Sequence, residues 1–459
     1  MPLRDDAISI WNAGIAAVDS AKCVAQQIRF EHQQLWIADA QIPLSTASRI
    51  EVIGAGKAGA GMANGVESAL MSNDIAYRLS GWVNVPADCV RPLTRIHLHA
   101  ARPAGLNEPT QEVVRGTQEI LRRVHSLSDA DVCIVLLSGG ASALLCSPAT
   151  GVSLDDKLSV TRALAGNGAP IQELNLVRTQ LSQVKGGRLT AACRAGTLVA
   201  LIISDVIGDP LDVIGSGPTI SGVSRAADAL QVLRDRELLG QIPASVVEYL
   251  ERQAAAIHTS EPHSEFSQPR LMINRIVASN AIAIDAAAAK ARKLGYEVRS
   301  LGSANAGEAA NEGRQLMGRL LATRTDHHRV CILSGGEPTV NLSVRVARGD
   351  TAAPKSSAGR GGRNQELVLA AVTAYKDATE WKNIVLLSGG TDGEDGPTDA
   401  AGAIADEALI ARIIASGINP DSYLARHDSY TFFATVNGLF KTGPTHTNVM
   451  DLRVGLSFT

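Results

Sequence analysis

Aromatic side chains make up only 3% of the 459 residues, the net charge is -3, and no long run of basic residues occurs. Nucleic-acid binding needs a concentrated positive surface and usually stacking platforms, so that class is excluded and a small polar or anionic ligand is expected instead. No segment has the ~20 uninterrupted apolar residues of a membrane span. The first residues, MPLRDDAISIWNAGIAAVDSA, carry Asp5 and Asp6 where a signal peptide has positive charge, and their apolar positions recur at helical spacing. An amphipathic helix and a cytoplasmic protein are expected. The six cysteines show no paired spacing and read as reduced thiols; Cys133 and Cys331 sit inside apolar runs. The ten histidines lack zinc-ligand spacing. There is no G-x-S-x-G elbow and no G-x-x-x-x-G-K-[ST] loop, which removes the simplest hydrolase and P-loop readings.

What the chain has is alternation. Short apolar runs (RIEVIGAG at 49–56, GWVNVP at 81–86, RIHLHA at 95–100, DVCIVLLSGG ending at 140, TLVALIISDV at 197–206) alternate with Ala-rich helical stretches near 57–70 and 109–126. That pattern predicts a mostly parallel sheet with helices on both faces. Residues 257–270 lose the periodicity and read as a linker. Beyond it the series restarts with RIVAS at 275–279, YEVRSLG, RVCILSGG, NLSVRV at 341–346 and NIVLLSGG, with a loop at 347–363. Two Rossmann-like α/β domains with mostly parallel sheets and an interdomain cleft are expected, spanning 1–256 and 271–459.

The tripeptide Ser-Gly-Gly closes three of the apolar runs, at 138–140, 334–336 and 388–390. Ligands of parallel sheets sit outside the carboxyl ends of strands, where a hydroxyl and glycine amides can close around an anionic oxygen. Ser138, Gly139, Gly140, Ser142, Gly335 and Gly336 are therefore candidate phosphate-binding residues; the plainer reading is a tight turn. Gly54-Ala55-Gly56-Lys57-Ala58-Gly59 meets the G-x-G-x-x-G fingerprint in letter and in context, which makes Gly54 and Gly56 candidates too. The second strand, however, ends without the ribose-binding acid, and Lys57 stands in the turn where a cation meets a phosphate or carboxylate.

Asn175, Arg178 and Ser182 are spaced to share one helical face, with Lys185 just before Gly186-Gly187. They suit a phosphate or carboxylate, or else a solvated helix ending at a glycine cap. Asp205 and Asp209 follow an apolar run, beside Gly215-Ser216-Gly217, and suit hydrated Mg²⁺ or a general base, or else cap turns. Arg360 and Arg363 stand at the mouth of a helix, where guanidinium forks call for an anion. Asp392, Glu394, Asp395 and Asp399 crowd eight residues, so 386–399 is the preferred place for substrate hydroxyls or magnesium, with Asp392 a substrate candidate and Asp399 a metal candidate.

In order along the chain, VIGAGKAG, LLSGGASALL, ELNLVRTQLSQVKGGRL, ISDVIGDPLDVIGSGPT, SGGEPTV, GRGGRNQE, SGGTDGEDGPTDAAGA and KTGPTHTNVMDLRV resemble the type II glycerate 2-kinase family, often labelled hydroxypyruvate reductase, whose second half is the MOFRL region. The resemblance implies ATP- and Mg²⁺-dependent transfer of the γ-phosphoryl to the 2-hydroxyl of D-glycerate, with Lys57 and Arg363 catalytic. Asp205 is the first choice to accept the hydroxyl proton. Small-molecule substrates, no nucleic acid and no membrane are the expected partners, and a homodimer is the candidate assembly. The sequence departs from the family pattern at Gly139-Gly140-Ala141-Ser142, Arg102-Pro103-Ala104-Gly105 and His446. An NAD(P)H-dependent hydroxypyruvate reductase and a non-catalytic ligand sensor are the competing readings.

Overall fold

A computed structural model describes residues 2–103, 105–106, 108–220, 225–256, 269–325, 328–341 and 359–458. The expected strand at 341–346, the loop at 347–363 and the linker at 257–270 fall mostly outside these residues.

The chain divides into two compact units, Ser20–Val277 and Met1–Asp19 with Ala278–Thr459. The N-terminal unit opens with an antiparallel meander of β1 (Ile28–Glu31), β2 (Gln34–Ile37) and β3 (Ala40–Ile42). Its main sheet contains β4 (Ile50–Ala55), β5 (Leu79–Pro86), β6 (Ile96–Arg102), β7 (Val132–Leu137), β8 (Thr197–Ile203) and β9 (Leu271–Ala278), in the order β6-β5-β4-β7-β8-β9. The pairings from β6 through β8 are all parallel. Every residue of β4, β7 and β8 is buried, as strands covered on both faces require. The chain runs outward from β4 to β6 and returns beside β4 as β7. The strand order therefore reverses between β4 and β7, which opens a crevice at their carboxyl ends.

The C-terminal unit is built differently. Its sheet contains β10 (Glu297–Ser300), β11 (Val330–Gly336), β12 (Ile384–Gly390), β13 (Gly402–Asp406), β14 (Leu439–Phe440) and β15 (Asp451–Ser457), ordered β10-β11-β15-β12-β13-β14. Strands β10 and β11 pair in parallel, but β15 runs antiparallel between β11 and β12, and β13 is antiparallel to β12 and β14. The α/β class holds for both units, while the expected parallel character gives way here to a mixed sheet.

Both ends of the expected division also move. Of segment 275–279, read as the first strand of the second domain, residues up to Ala278 form the end of β9 at the edge of the first sheet. The helix Pro2–Ala17, read with the first domain, belongs to the C-terminal unit. Its Ala7, Ile10 and Trp11 pack into one core with Ile284, Ala287, Leu452 and Val454, and the Trp11 ring meets Phe440 edge-on at 4.9 Å. Burying each such large side chain contributes roughly 1.5–3 kcal/mol, enough to decide where a terminal helix docks.

Candidate active site

The crevice between β4 and β7 gathers several of the expected residues. The β4 strand is followed by Gly56, whose φ is +147°; a Cβ there would lie 2.0 Å from Ser138 Oγ. Only glycine permits this approach, which lets the Ala58 amide donate to Ser138 Oγ at 3.1 Å and the Lys57 amide to the Gly139 carbonyl at 2.8 Å. Two loops from adjacent strand ends are thus stitched together, with the Lys57 side chain exposed. Gly54 has a packing role, since a Cβ on it would strike the Leu136 carbonyl at 2.3 Å. Gly140 is left-handed, φ +80°, and begins the short helix Ala141–Leu144; the Lys57 Cγ and the Arg102 guanidinium are the groups nearest its open side. Arg102, noted in the sequence only as a departure from the family pattern, is a buried cation at the end of β6. Burial lowers its pKa, an effect that the Asp88 carboxylate opposes.

Just beyond, Ser142 organises a second group. Arg178 Nη2 donates to Ser142 Oγ at 2.7 Å, and Lys185 Nζ donates to Ser142 O at 2.8 Å, to Ser142 Oγ at 2.8 Å and to Ser216 Oγ at 3.1 Å. The double glycine after Lys185 holds this geometry: the Gly186 and Gly187 amides donate to the Ser216 and Gly217 carbonyls at 3.0 and 2.7 Å. Lys185 is 1% exposed, and burial, then the nearby Arg178 and Lys157 charges, pull its pKa well below the ordinary lysine value. Behind them Lys157, pushed by burial down to about 8, donates to the Leu181 carbonyl at 2.9 Å. Arg188 donates to the Thr179 and Ser182 carbonyls. Both cations cap the carboxyl end of the helix Ile171–Gln180, where the dipole favours positive charge. That helix places Asn175 one turn before Arg178, but it ends before Ser182, which bonds the Val184 and Lys185 amides instead of sharing the face. Among the described residues, neither Arg178 nor Lys185 has a carboxylate partner. A buried lysine beside a half-buried arginine, both bonded to neutral oxygens, suits an anion.

Asp205 and Asp209 lie on the loop after β8, the strand paired with β7 up to Leu137↔Ile202, so they leave the same end of the sheet as Ser138. Asp399 belongs to the other unit, where Tyr430 and Lys441 donate to its two oxygens at 2.7 and 2.8 Å and hold its pKa at about 2. Among the described residues, no group of three or more His, Cys, Asp or Glu is placed to hold a metal.

In the C-terminal unit the expected phosphate turns are absent. Ser334-Gly335-Gly336 and Ser388-Gly389-Gly390 continue as strand, because β15 pairs with both, Gly336↔Asp451 and Gly390↔Asp451 included. The Gly335 amide is used by the Gly302 carbonyl at 2.9 Å, so Gly335 and Gly336 do not form an anion loop. The cluster at 392–399 is likewise committed to structure. Asp395 accepts the Asn364 and Gln365 amides at 3.0 and 2.8 Å, capping the helix Arg363–Ala374; burial raises its pKa to about 7. Asp392 accepts the Glu394 amide at 3.2 Å, and its carbonyl accepts that of Thr445 at 3.2 Å. Arg360 stacks 4.1 Å over the Tyr430 ring. Arg363 makes a two-pronged ion pair with the fully buried Asp451 (2.7 and 3.0 Å) and reaches Glu337 at 3.0 Å. Burial works against the Arg363 charge, yet Asp451 and then Glu337 raise its pKa overall. Asp451, Asn364 and Ser388 continue this network at 2.9 and 2.6 Å. Neither Asp451 nor Asn364, nor Ser216, stood among the sequence candidates.

A crevice at the switch point of a parallel sheet, where Lys57, Arg102, Arg178 and Lys185 gather, joined in sequence to a mixed-sheet unit, defines the class: a two-unit α/β protein. Residues 6–251 match the domain of unknown function DUF4147, and residues 330–451 match the MOFRL family. Glycerate kinase of Danio rerio is 33% identical, over 99% of this chain and 97% of its own. A putative hydroxypyruvate reductase of Agrobacterium vitis is 39% identical over 88% and 98%. The crystal structure of glycerate kinase from Thermotoga maritima superposes with a TM-score of 0.80 at 30% identity, covering 99% of each chain. The chain belongs to the DUF4147–MOFRL family, that of these glycerate kinases.

Proposed function

We propose that this protein is a glycerate kinase that transfers the γ-phosphoryl group of ATP to the 2-hydroxyl of D-glycerate, giving 2-phosphoglycerate. The observation that carries the reading is the crevice of the N-terminal unit, where Lys57, Arg178 and Lys185 gather around Ser138–Ser142 without a carboxylate partner among the described residues. Phosphoryl transfer asks a protein mainly to position its reactants and to neutralise charge on the transferred group. Lys57, exposed beside Gly140, meets a phosphoryl oxygen or the acceptor carboxylate. Ser138, Gly139 and Gly140 line the place for the phosphates. Asn175 and Arg178 face the acceptor, and Asp205 takes the hydroxyl proton. Arg363 keeps its proposed catalytic role, with its fork aimed by Asp451. Asp205 and Asp209 would hold Mg²⁺, which keeps mostly water and phosphate oxygens as ligands and so does not require a cluster of three protein groups. When bound, the ion supplies further neutralisation of phosphoryl charge.

The reductase reading has less support. Strand β5 ends in Asn84-Val85-Pro86, and Asn84 Nδ2 donates to the Leu144 carbonyl at 2.9 Å, leaving no acid at the position that binds a dinucleotide ribose. A cytoplasmic setting agrees with six free cysteines, and no helix among the described residues is long and apolar enough to cross a membrane.

Purified protein should convert D-glycerate and Mg-ATP to 2-phosphoglycerate, identified by ³¹P NMR. Formation of 3-phosphoglycerate would move the acceptor position. NADH oxidation with hydroxypyruvate, and no phosphorylated product, would establish the reductase instead. Thermal stabilisation by these ligands without any turnover would leave a sensor.

A further inference from the structure

The hydrogens around Ser142 and Ser216 can be counted. An ammonium group has three. Those of Lys185 go to Ser142 O, Ser142 Oγ and Ser216 Oγ. Ser142 Oγ also receives an N–H from Arg178, which fills both of its lone pairs. The 2.9 Å contact between the two hydroxyls is then made by Ser142 donating to Ser216. Ser216 Oγ consequently accepts twice, from Lys185 and Ser142, and its own hydrogen has no acceptor among the described residues. Ser216 is 3% exposed, so bulk water is a poor substitute.

The backbone points the same way. Ser216 has φ +65°, a conformation a serine adopts at a cost, and it stands between Gly215 and Gly217 at +61° and +59°. Glycine at 216 would relieve that cost, so a serine there is explained by what its hydroxyl does. Lys185 places positive charge on that hydroxyl, and Arg178 adds a second cation one hydroxyl away at Ser142.

We propose that Ser216 contacts substrate directly: its hydroxyl is the last donor of the chain Arg178/Lys185–Ser142–Ser216 and gives its hydrogen to an anionic oxygen, either the carboxylate of the acceptor or a phosphoryl oxygen of the nucleotide. The inference rests on the kinase reading only for the identity of those two ligands. Arg178 and Lys185 act here through Ser142 and Ser216, fixing the direction in which each hydroxyl donates.

The test is Ser216→Gly, which removes the hydroxyl and relaxes the backbone, with Ser216→Ala as the variant that keeps the backbone cost. Binding of D-glycerate, ATP and inorganic phosphate is followed by calorimetric titration, alongside the KM for each substrate and the melting temperature. Losing a hydrogen bond to a charged oxygen weakens binding about 10- to 100-fold. Weakening confined to D-glycerate assigns the carboxylate, and weakening confined to ATP and phosphate assigns the phosphoryl oxygen. The melting temperatures separate weaker binding from weaker folding, because removing the hydroxyl leaves Lys185 and Ser142 short of an acceptor while glycine relaxes the backbone. Unchanged affinity for all three ligands overturns the proposal, as does wild-type protein that binds none of them. Wild-type protein that makes no product, but whose phosphate affinity falls in Ser216→Gly, would reject the kinase reading and retain this site.

Discussion

The tripeptide Ser-Gly-Gly ends an apolar run in each unit, yet it does different work in the two. At 138–140 the pairing with the neighbouring strands has stopped, at Ala55 and Ile202, so the chain is released into a left-handed turn beside Lys57. At 334–336 and 388–390 the antiparallel β15 runs on between the two strands and holds both glycine pairs in the ladder. A glycine-rich strand end becomes a ligand loop only where its neighbours end with it. The partner strand, distant in sequence, settles the matter.

This contrast can be broken by substitution. The largest effect is expected at the base of the strand copies: Asp451→Ala leaves Arg363 without its buried partner and should cost on the order of 3–5 kcal/mol, read by thermal or denaturant unfolding. Arg363→Ala exposes the same weakness from the other side, so its activity must be compared with its melting temperature. Next comes a paired comparison. In Gly335→Ala a Cβ would stand 1.7 Å from Asn280 Oδ1, on a side chain that bridges the Val449 and Asp451 carbonyls, and should cost about 1–3 kcal/mol. In Gly140→Ala the nearest heavy atom is 3.5 Å away and only the positive φ is penalised, by roughly 1–2 kcal/mol. Gly335→Ala should therefore lose more stability, and Gly140→Ala more turnover per folded molecule. The reverse ranking would erase the distinction between the copies.

A smaller effect is a pH slope. The folded Asp395 carboxyl titrates at about 7 against an ordinary value of 3.8, so between about pH 4 and 7 the folded state binds more protons than the unfolded chain. Its contribution makes stability fall as pH rises across that window and level off above it. Asp395→Asn should remove that part of the slope in melting curves. The smallest effect is at Asp399, exposed and paired with Lys441. Asp399→Ala should leave both melting temperature and turnover unchanged, and a large loss of turnover would restore it as a metal ligand.

The N-terminal sheet was legible because its strands are apolar throughout and lie between helices. VCIVLL and TLVALII announce themselves, and Gly56-Lys57 and Ser138–Gly140 follow at their ends. Strand β15 was hidden by Asp451 and Arg453, two charges buried in a central strand because Asp451 is held by Arg363 and Asn364 at a helix start and Arg453 by Ser334 on β11. The docking of Pro2–Ala17 on residues more than 270 positions away leaves no local trace. Of the site, Arg178 and Lys185 were found as cations on a helix and before a glycine pair. Ser216 was passed over, although the Gly-Ser-Gly surrounding it is the signal that would have found it. The acid cluster misled because a helix cap and a surface ion pair use the same residues as a metal site.

The most direct measurement compares wild-type and Lys57→Ala protein with D-glycerate and Mg-ATP by ³¹P NMR, each checked by its melting curve. The account predicts 2-phosphoglycerate from the wild type, and from Lys57→Ala an intact fold with most of the product lost. Near wild-type turnover in Lys57→Ala would contradict it.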